Sequence, residues 1–530
     1  MTRRRTIQII ALLAFLAIQA FGVTAASVQP KAADARGLAQ LKGFDDFVNA
    51  QLEKYHVPGA AVAIVKKDGL LFVKGYGLRD IVAKLPVTER TIMPIGSLTK
   101  SFTAFVIGQL VDDGKLDWDT PVRSYVPDFR MFDPCATERM TLRDMACHRS
   151  GLPRHEFMWL GSPFSRKELF ERLRYLEPNA DFRSCYQYQN LIYMAAGYIA
   201  GQVAGMSWEQ LVKERIFQPL GMASAGFSAV QSFESGDAAK PYLYQDGAFE
   251  ERQPIPEDAV GPSGSICAHV LDVAKWIQLH LGNGEFDGRR IVSESTLRLL
   301  HTPQMVIEEE PGDPIAEEMR QYRELSDMAY AFGWTTGAYR GRRMVEHGGN
   351  TDGATTAAKM LPDDGIGVVV LTNADHTDAA DVIGYNVFDR MLGLDQIDWS
   401  GRLLKIWQKV LDMIAEMKEK SVSSRKEGTR PSHPLADYAG EYVHPGYGTF
   451  KIMAEGDRLK GYYNGHEWPV KHLHYDIFRF EFWMLGYEFP GTFLSDHDGN
   501  IDRLSLPLES SVKEIVFTRK EDKQPERPAK

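Results

Sequence analysis

The sequence predicts an α+β protein: an antiparallel sheet flanked by helices with a helical lobe, followed by an all-β barrel domain. Strand patterns near residue 60 return after residue 330, and mostly helical patterns lie between about residues 110 and 300. Strands at both ends of such a region form one sheet when the two halves of the chain meet. Beyond Tyr438, short alternating strands with Gly, Asn and Asp turns are typical of a small barrel or sandwich.

The first elements are a helix and a hairpin. Apolar residues at helical spacing predict a helix over residues 44–56, which Val57-Pro58-Gly59 ends. Ala60 to Val65 and Leu70 to Val73 predict two paired strands, because Asp68-Gly69 between them is a typical turn. The returning strands are expected at Phe332 to Thr335, Met344 to His347, Thr355 to Met360 and Gly367 to Leu371.

A change of pattern near residue 420 divides the chain. Leu403 to Met417 has the spacing of an amphipathic helix, and the polar stretch Lys418 to Pro434 follows it. The predicted organisation is a hydrolase-sized domain over 40–400, a helix and linker over 401–434, and a β-barrel over 435–522. The barrel is expected to fold separately and to supply no catalytic group.

The N-terminus has the pattern of a targeting segment. Arg3, Arg4 and Arg5 precede an apolar run from Ile9 to Val23, and small residues follow. This pattern predicts a signal peptide over residues 1–25 and an exported protein, periplasmic or secreted. An uncleaved membrane anchor is the alternative, for which the apolar run is rather short.

Composition limits the partners and cofactors. The chain has 530 residues and a formal charge of -10, so nucleic acid is not an expected partner. The four cysteines fit no zinc spacing, and neither a metal nor another cofactor is predicted. Export would allow a disulfide, and buried free thiols are equally compatible with the sequence.

The pattern Ser97-Leu98-Thr99-Lys100 is the strongest functional signal. It follows a turn and opens a run with apolar residues at helical spacing, so Ser97 and Lys100 should share one helix face. A serine hydroxyl becomes an effective nucleophile when a nearby base takes its proton, and a desolvated lysine can be that base. The same pattern at Ser423–Lys426 and Ser510–Lys513 opens no amphipathic helix.

Two further tripeptides supply the other groups that acyl transfer requires. In Tyr188-Gln189-Asn190, the tyrosine can pass a proton and the asparagine can hold a substrate amide. In His347-Gly348-Gly349, the glycines allow close approach of the backbone and the imidazole can line the pocket as a donor. The backbone N–H groups of Ser97 and Asn350 are the predicted oxyanion hole.

The order of these motifs, together with Val57-Pro58-Gly59-Ala60, Arg149-Ser150-Gly151-Leu152-Pro153 and the run from His347 to Gly353, resembles one enzyme family. Residues 44–390 resemble class C β-lactamase and DD-peptidase-type serine hydrolases, which are related to penicillin-binding proteins. The resemblance implies a β-lactamase/transpeptidase-like fold. It also implies that Ser97 is the nucleophile, that Lys100 and Tyr188 share the base role, and that Asn190 and His347 line the substrate site. The terminal region resembles the lipocalin-like extension of some members.

The predicted function is an exported serine hydrolase that acts through an acyl-enzyme on an ester, a D-amino-acid-type peptide or a β-lactam amide. Many β-lactamases have a lysine where this chain has His347, and a neutral histidine binds a substrate carboxylate poorly. This favours the peptidase or esterase branch. The alternatives are a non-turnover binding or sensing protein for cell-wall peptides or β-lactams, and a barrel that binds a small apolar ligand. The expected partner is a small-molecule or short-peptide substrate, and a homo-oligomer is left open.

Overall fold

The computed structural model describes residues 35–233, 236–308, 313–423, 425–482 and 488–520. The predicted signal peptide lies outside these residues. In the described ranges, no helix combines the length and apolar character needed to cross a membrane.

The first part of the molecule is built on one antiparallel sheet. Within the described residues it has nine strands in the order β10-β11-β12-β13-β14-β15-β1-β2-β3. Strand β1 pairs with both β2 and β15, so the two halves of the chain meet there, as predicted. The strands of this part are β1 (Gly59–Lys66), β2 (Gly69–Asp80), β3 (Leu85–Pro86), β4 (Met93–Pro94), β5 (Tyr242–Gln245), β6 (Ala248–Glu251), β7 (Cys267–Ala268), β8 (Glu285–Phe286), β9 (Arg289–Arg290), β10 (Met305–Val306), β11 (Leu325–Tyr330), β12 (Thr335–Tyr339), β13 (Arg342–Thr351), β14 (Ala354–Leu361) and β15 (Ile366–Thr372).

Helices surround the sheet and form the lobe. They are α1 (Ala35–Gln40), α2 (Phe44–Lys54), α3 (Thr99–Asp112), α4 (Pro134–Arg139), α5 (Leu142–Ala146), α6 (Glu156–Trp159), α7 (Arg166–Arg172), α8 (Asn190–Ala204), α9 (Trp208–Val212), α10 (Gln218–Leu220), α11 (Ala229–Phe233), α12 (Val270–Leu281), α13 (Glu294–Leu300), α14 (Pro314–Met319), α15 (Ala379–Leu392) and α16 (Trp399–Ser423). Short 3-10 turns cover Gly96–Leu98, Val122–Ser124, Leu173–Tyr175, Asp258–Ser263 and Leu435–Tyr438, and a π-helical turn covers Lys213–Phe217.

Both faces of the sheet are buried, which explains why its central strands are almost entirely apolar. Along β1, Ala61 and Ala63 face the core shared with the helical lobe, including α12. Val62 and Ile64 face the opposite core, which includes residues of α2 and α15. Alternation with period two therefore assigns successive side chains to two different cores.

One predicted strand is wrong. Residues 331–334 form a turn, in which the Ala331 N–H donates to the Trp334 carbonyl at 2.8 Å, and strand β12 begins only at Thr335. Phe332 and Trp334 are apolar because they are fully buried in the core. Burial without extended backbone gives the same composition as a short strand, so the pattern could not separate the two.

The last part of the chain is a closed antiparallel barrel, as predicted. Strand β16 pairs with β23 and completes the cylinder. Its strands are β16 (Gly440–His444), β17 (Gly448–Glu455), β18 (Arg458–Tyr463), β19 (His466–His474), β20 (Ile477–Glu481), β21 (Glu488–Ser495), β22 (Ile501–Leu506) and β23 (Ile515–Arg519). Buried aromatic side chains such as Phe450, Trp468 and Phe517 belong to a core that is continuous with the helical lobe.

All four cysteines lie in described residues, and all are free thiols. Cys147 and Cys267 are buried, and burial raises the pKa of each thiol to about 12. These two thiols are therefore protonated and unreactive at neutral pH.

Candidate active site

The candidate nucleophile lies where the 3-10 turn Gly96–Leu98 continues into α3. The turn is anchored to the segment before β7, because the Ile95 N–H donates to the Ile266 carbonyl at 2.9 Å and the Ile266 N–H donates to Thr99 Oγ1 at 3.1 Å. Ser97 itself is partly exposed and faces a cleft, whereas Lys100 is fully buried beneath it. The Nζ of Lys100 lies 3.0 Å from Ser97 Oγ.

The contacts of Lys100 suit a proton acceptor. Its Nζ also donates to Asn190 Oδ1 and to the Ser263 carbonyl, both at 2.8 Å. A neutral amine has two N–H donors, and these two oxygens accept both, which leaves the lone pair directed at Ser97 Oγ. Burial, with a further contribution from the charge of Arg154, holds the Lys100 pKa well below its usual value.

The orientation of Asn190 is fixed by a carboxylate that the sequence analysis did not identify. Asn190 Nδ2 donates to Glu156 Oε1 at 3.1 Å, so the amide oxygen faces Lys100. Glu156 is also paired with Arg154 at 2.9 Å. Glu156 therefore determines that the amide oxygen of Asn190, rather than its nitrogen, faces Lys100 Nζ.

Tyr188 lies beside the same two residues. Its ring centroid is 4.6 Å from Lys100 Nζ. Burial raises the Tyr188 pKa above its usual value, and the nearby Ser97 side chain opposes that shift only in part. The phenol is therefore protonated in the resting protein and is suited to pass a proton rather than to start as the base.

His347 lines the cleft, but both of its ring nitrogens bind other protein groups. Nδ1 donates to the Gly348 carbonyl at 2.5 Å, and Nε2 lies 2.9 Å from the Tyr330 hydroxyl, which donates to it. The sequence predicts that this imidazole donates to the substrate. In the structure both ring nitrogens are instead hydrogen-bonded within the protein. Burial lowers the His347 pKa to about 3, so the ring is uncharged at neutral pH.

The backbone of β13 approaches the nucleophile turn closely. A Cβ atom added at Gly349 would lie 2.0 Å from the Ile95 carbonyl oxygen and 2.9 Å from the Ser97 nitrogen. Only glycine permits this contact. Ser97, Gly348, Gly349 and Asn350 all line one cleft, which is the arrangement that the predicted pair of backbone donors requires.

The cleft is large and rich in carboxyl groups. It encloses about 1360 Å³, its open mouth included. Four carboxyl groups line it, and the basic side chains in its lining are Arg154, His347 and His376; the four carboxyl groups are Glu156, Glu257, Asp352 and Asp375. Glu156, Asp352 and Asp375 are paired with Arg154, Arg252 and His376, respectively. Burial raises the pKa of Glu257 to about 8, so this carboxyl group is largely protonated at neutral pH.

The structure thus brings together every sequence-predicted site residue around one cleft. Sequence patterns do not indicate the other four groups at the site, which are Glu156, Glu257, Tyr330 and the Ser263 carbonyl. Backbone carbonyls have no sequence signal, and an isolated acidic residue in a Pro-containing loop is ordinarily solvated. Their roles depend on tertiary contacts, such as the one between Asn190 and Glu156, 34 residues apart.

Substitution of Gly349 tests the close approach of β13. We expect Gly349→Ala to slow acylation of Ser97 by roughly a hundredfold or more, because the methyl group must displace the strand from the nucleophile turn and so misplace a donor for the oxyanion. The measurement is the single-turnover rate of acylation of Ser97. Gly348→Ala is the matched control, because its Cβ would lie 3.3 Å from its nearest neighbour, the Thr356 carbonyl oxygen. Equal rates for the two variants would contradict this account.

Comparison with known protein families identifies both parts of the chain. A family model described as Beta-lactamase matches residues 44–390. A second model, described as a domain of unknown function (DUF3471), matches residues 424–519 and so includes the barrel.

Individual proteins are similar over most of the chain. An unguisins hydrolase of Aspergillus campestris is 30% identical over 445 residues, which are 78% of this chain and 78% of that protein. The octameric penicillin-binding protein homologue from Pyrococcus abyssi has a TM-score of 0.56 at 22% identity, covering 90% of this chain and 100% of that chain. A D-amino acid amidase from Ochrobactrum anthropi has a TM-score of 0.55 at 21% identity, covering 67% and 98%. The two structures share the fold.

Proposed function

The chain belongs to the beta-lactamase family of serine hydrolases, and on that premise we propose that it cleaves an ester or a D-amino-acid-type peptide bond through an acyl-enzyme on Ser97. The observation that carries the proposal is the position of the buried Lys100 Nζ, 3.0 Å from Ser97 Oγ and 2.8 Å from both Asn190 Oδ1 and the Ser263 carbonyl oxygen. In its neutral form the amine donates to the last two oxygens and keeps its lone pair for the Ser97 hydroxyl, which is the geometry of a nucleophile and its base.

The proposed reaction has two halves. Ser97 Oγ bonds to the substrate carbonyl carbon while its proton passes to Lys100 Nζ, and the backbone N–H groups of Ser97 and Asn350 stabilise the oxyanion. The bond to the leaving group then breaks, and the leaving group takes a proton that Tyr188 relays from Lys100. Water attacks the acyl-enzyme with the same groups acting in reverse, which releases the acid and restores Ser97.

Turnover distinguishes this proposal from a protein that only binds or senses its ligand. We expect a chromogenic ester to be hydrolysed over many cycles, because the groups that acylate Ser97 can also activate water. The similarity to an unguisins hydrolase supports turnover rather than binding alone. Release of a single equivalent of chromophore per protein molecule, with no further reaction, would instead favour the non-turnover alternative.

The charge of the cleft predicts the substrate preference. His347 is neutral where many β-lactamases have a lysine, so this position supplies no positive charge for a substrate carboxylate. An acyl donor that carries a carboxylate beside the scissile bond should therefore bind poorly. We expect its kcat/KM to be at least about tenfold lower than that of the matched carboxamide, and a simple ester to be preferred over a penicillin. A preference for the carboxylate, or for the penicillin, would contradict the assignment.

We further propose export to the periplasm or the exterior. The support is the pattern of three arginines, an apolar run and small residues at the N-terminus. N-terminal sequencing of the protein recovered from its native compartment should find cleavage near Ala25. An intact N-terminus in a membrane fraction would favour the anchored alternative.

A further inference from the structure

The segment Arg154–Gly161 lies between the catalytic cleft and the C-terminal barrel. One side of it lines the cleft through Arg154, Glu156, Trp159 and Leu160. No barrel residue lines that cleft among the residues that the structure describes. This segment therefore offers the barrel a direct structural connection to the wall of the cleft.

The barrel holds the backbone of this segment by three hydrogen bonds from the end of β18. The hydroxyl of Tyr463 shares its single proton between the Phe157 carbonyl at 2.8 Å and the Tyr447 carbonyl, within the barrel, at 3.0 Å. Asn464 Nδ2 donates to the Phe157 carbonyl at 3.0 Å and to the Leu160 carbonyl at 3.1 Å. The acceptors are the carbonyl of Phe157, within helix α6, and that of Leu160, just after it. The barrel therefore holds a helix that is too short to be stable by itself.

Aromatic packing adds a second attachment. The ring of Phe157 meets Trp468, Phe482 and Phe489 edge-on, with centroids 5.9, 4.9 and 5.3 Å apart. Edge-to-face pairs at these distances are favourable beyond the area that they bury. Phe157 is therefore a side chain of the lobe that packs among aromatic residues of the barrel.

His155 supplies a third attachment. Its backbone N–H donates to Glu509 Oε2 at 2.8 Å, and its Nε2 donates to the Glu177 carbonyl at 2.9 Å. Because Nε2 carries the proton, Nδ1 accepts from the Tyr447 hydroxyl at 2.7 Å. The residue immediately before Glu156 is thus fixed by two barrel side chains.

The cleft-facing side of the segment Arg154–Gly161 is connected to the amine of Lys100 through Asn190. Glu156 accepts from Asn190 Nδ2 and so turns the Asn190 oxygen toward Lys100. His155 precedes Glu156 and Phe157 follows it, and both of these neighbours are bound by barrel residues. A displacement of the segment would release the Asn190 amide and move a negative charge away from Lys100.

We propose that the barrel is a positioning element of the active site. Its contacts with residues 155–160, on the side away from the cleft, hold Glu156 where it orients Asn190 toward Lys100. Glu156, Tyr463 and Asn464 are accordingly positioning residues rather than catalytic ones. This inference rests on the proposed acyl-enzyme chemistry, since it specifies how the base is held in place.

The test uses the full chain and single-turnover acylation of Ser97 by a chromogenic ester as a function of pH. Tyr463→Phe removes one donor to the Phe157 carbonyl, and adding Asn464→Asp places a carboxylate against two carbonyls. Glu156→Gln removes the charge that orients Asn190. The matched control is Tyr442→Phe, which removes an equally buried barrel hydroxyl that donates at 2.8 Å to Tyr438 within the barrel.

We expect the plateau rate of acylation to fall about tenfold in the double variant and in Glu156→Gln, which is the loss of one charge-assisted hydrogen bond. The negative charge of Glu156 raises the Lys100 pKa, so Glu156→Gln should also move the acid limb of the rate profile to lower pH. Arg154, whose charge lowers the Lys100 pKa, lies in the same segment, so the plateau rate is the readout for the barrel variants. A loss of barrel stability alone would move neither quantity in the folded protein, and Tyr442→Phe should match the wild type in both.

Three other outcomes have definite meanings. If the barrel variants match the wild type while Glu156→Gln is slow, the barrel does not position the site and the inference is overturned. If Tyr442→Phe lowers the plateau rate as much as Tyr463→Phe, the effect is general to the barrel fold and the inference is also overturned. If the wild type is not acylated at all, the proposed function fails instead. Should the double variant not fold, Tyr463→Phe alone decides, with a smaller fall in the plateau rate expected.

Discussion

Replacing Ser97 with Ala should lower turnover of a chromogenic ester by about a thousandfold or more. The variant keeps the fold, because the side chain is partly exposed and its loss opens no core cavity. It loses the hydroxyl oxygen that lies 3.0 Å from the buried amine of Lys100 and faces the cleft. Steady-state hydrolysis, with the burst of the first turnover recorded separately, is the measurement.

The control for this substitution is Ser101→Ala. Ser101 lies on the same helix and its hydroxyl is buried, donating to the Leu98 carbonyl at 2.7 Å and accepting from Trp276 at 3.1 Å. We expect that variant to unfold more easily than Ser97→Ala but to retain most of its activity. Full activity in Ser97→Ala would contradict the assignment of Ser97 as the nucleophile.

Lys100 and Tyr188 are expected to act as one proton-transfer unit. Lys100→Ala and Tyr188→Phe should each reduce turnover by on the order of a hundredfold or more, because each removes a group through which the Ser97 proton passes. Since the second loss acts on a pathway that is already broken, the double variant should be little slower than the slower single variant. Rates equal to the product of the two single effects would show that the residues act separately.

The pH profile and an arginine substitution separate a base from a mere cation. As a base, Lys100 must be neutral, so acylation should rise as pH rises through its lowered pKa and then level off. Lys100→Arg keeps the positive charge but cannot lose its proton at any working pH. We therefore expect Lys100→Arg to be as slow as Lys100→Ala. Substantial rescue by arginine would mean that Lys100 supplies charge, not basicity.

The sequence predicted the parts of this molecule that depend on local spacing. Ser97 and Lys100 are three residues apart on a helical turn, so their contact follows from helix geometry alone. The two-sided burial of β1 and the closure of the barrel follow from apolar runs and from alternation with period two. The mistaken strand at Phe332 to Thr335 shows the limit of that signal, because a buried turn and a buried strand share one composition.

The remaining features depend on contacts between distant parts of the chain. The polar stretch at Lys418 to Pro434 predicts a change of architecture, and it predicts an independent barrel. Yet Tyr463 binds the Phe157 carbonyl, 306 residues earlier in the sequence, and neighbours of Phe157 line the cleft. No pattern in either segment indicates its partner. The neutral state of His347 likewise comes first from burial and then from the proximity of Lys100, and the tripeptide reveals neither.

The central claim is that Ser97 forms the acyl-enzyme, and peptide mapping by mass spectrometry tests it most directly. The full chain is treated with a fluorophosphonate, which traps an activated serine, and is then digested and sequenced. The account predicts a single adduct on Ser97 in the wild type, and none in Lys100→Ala over the same interval. An adduct on Ser423 or Ser510, which share the four-residue pattern without its structural context, or no adduct on Ser97, would contradict it.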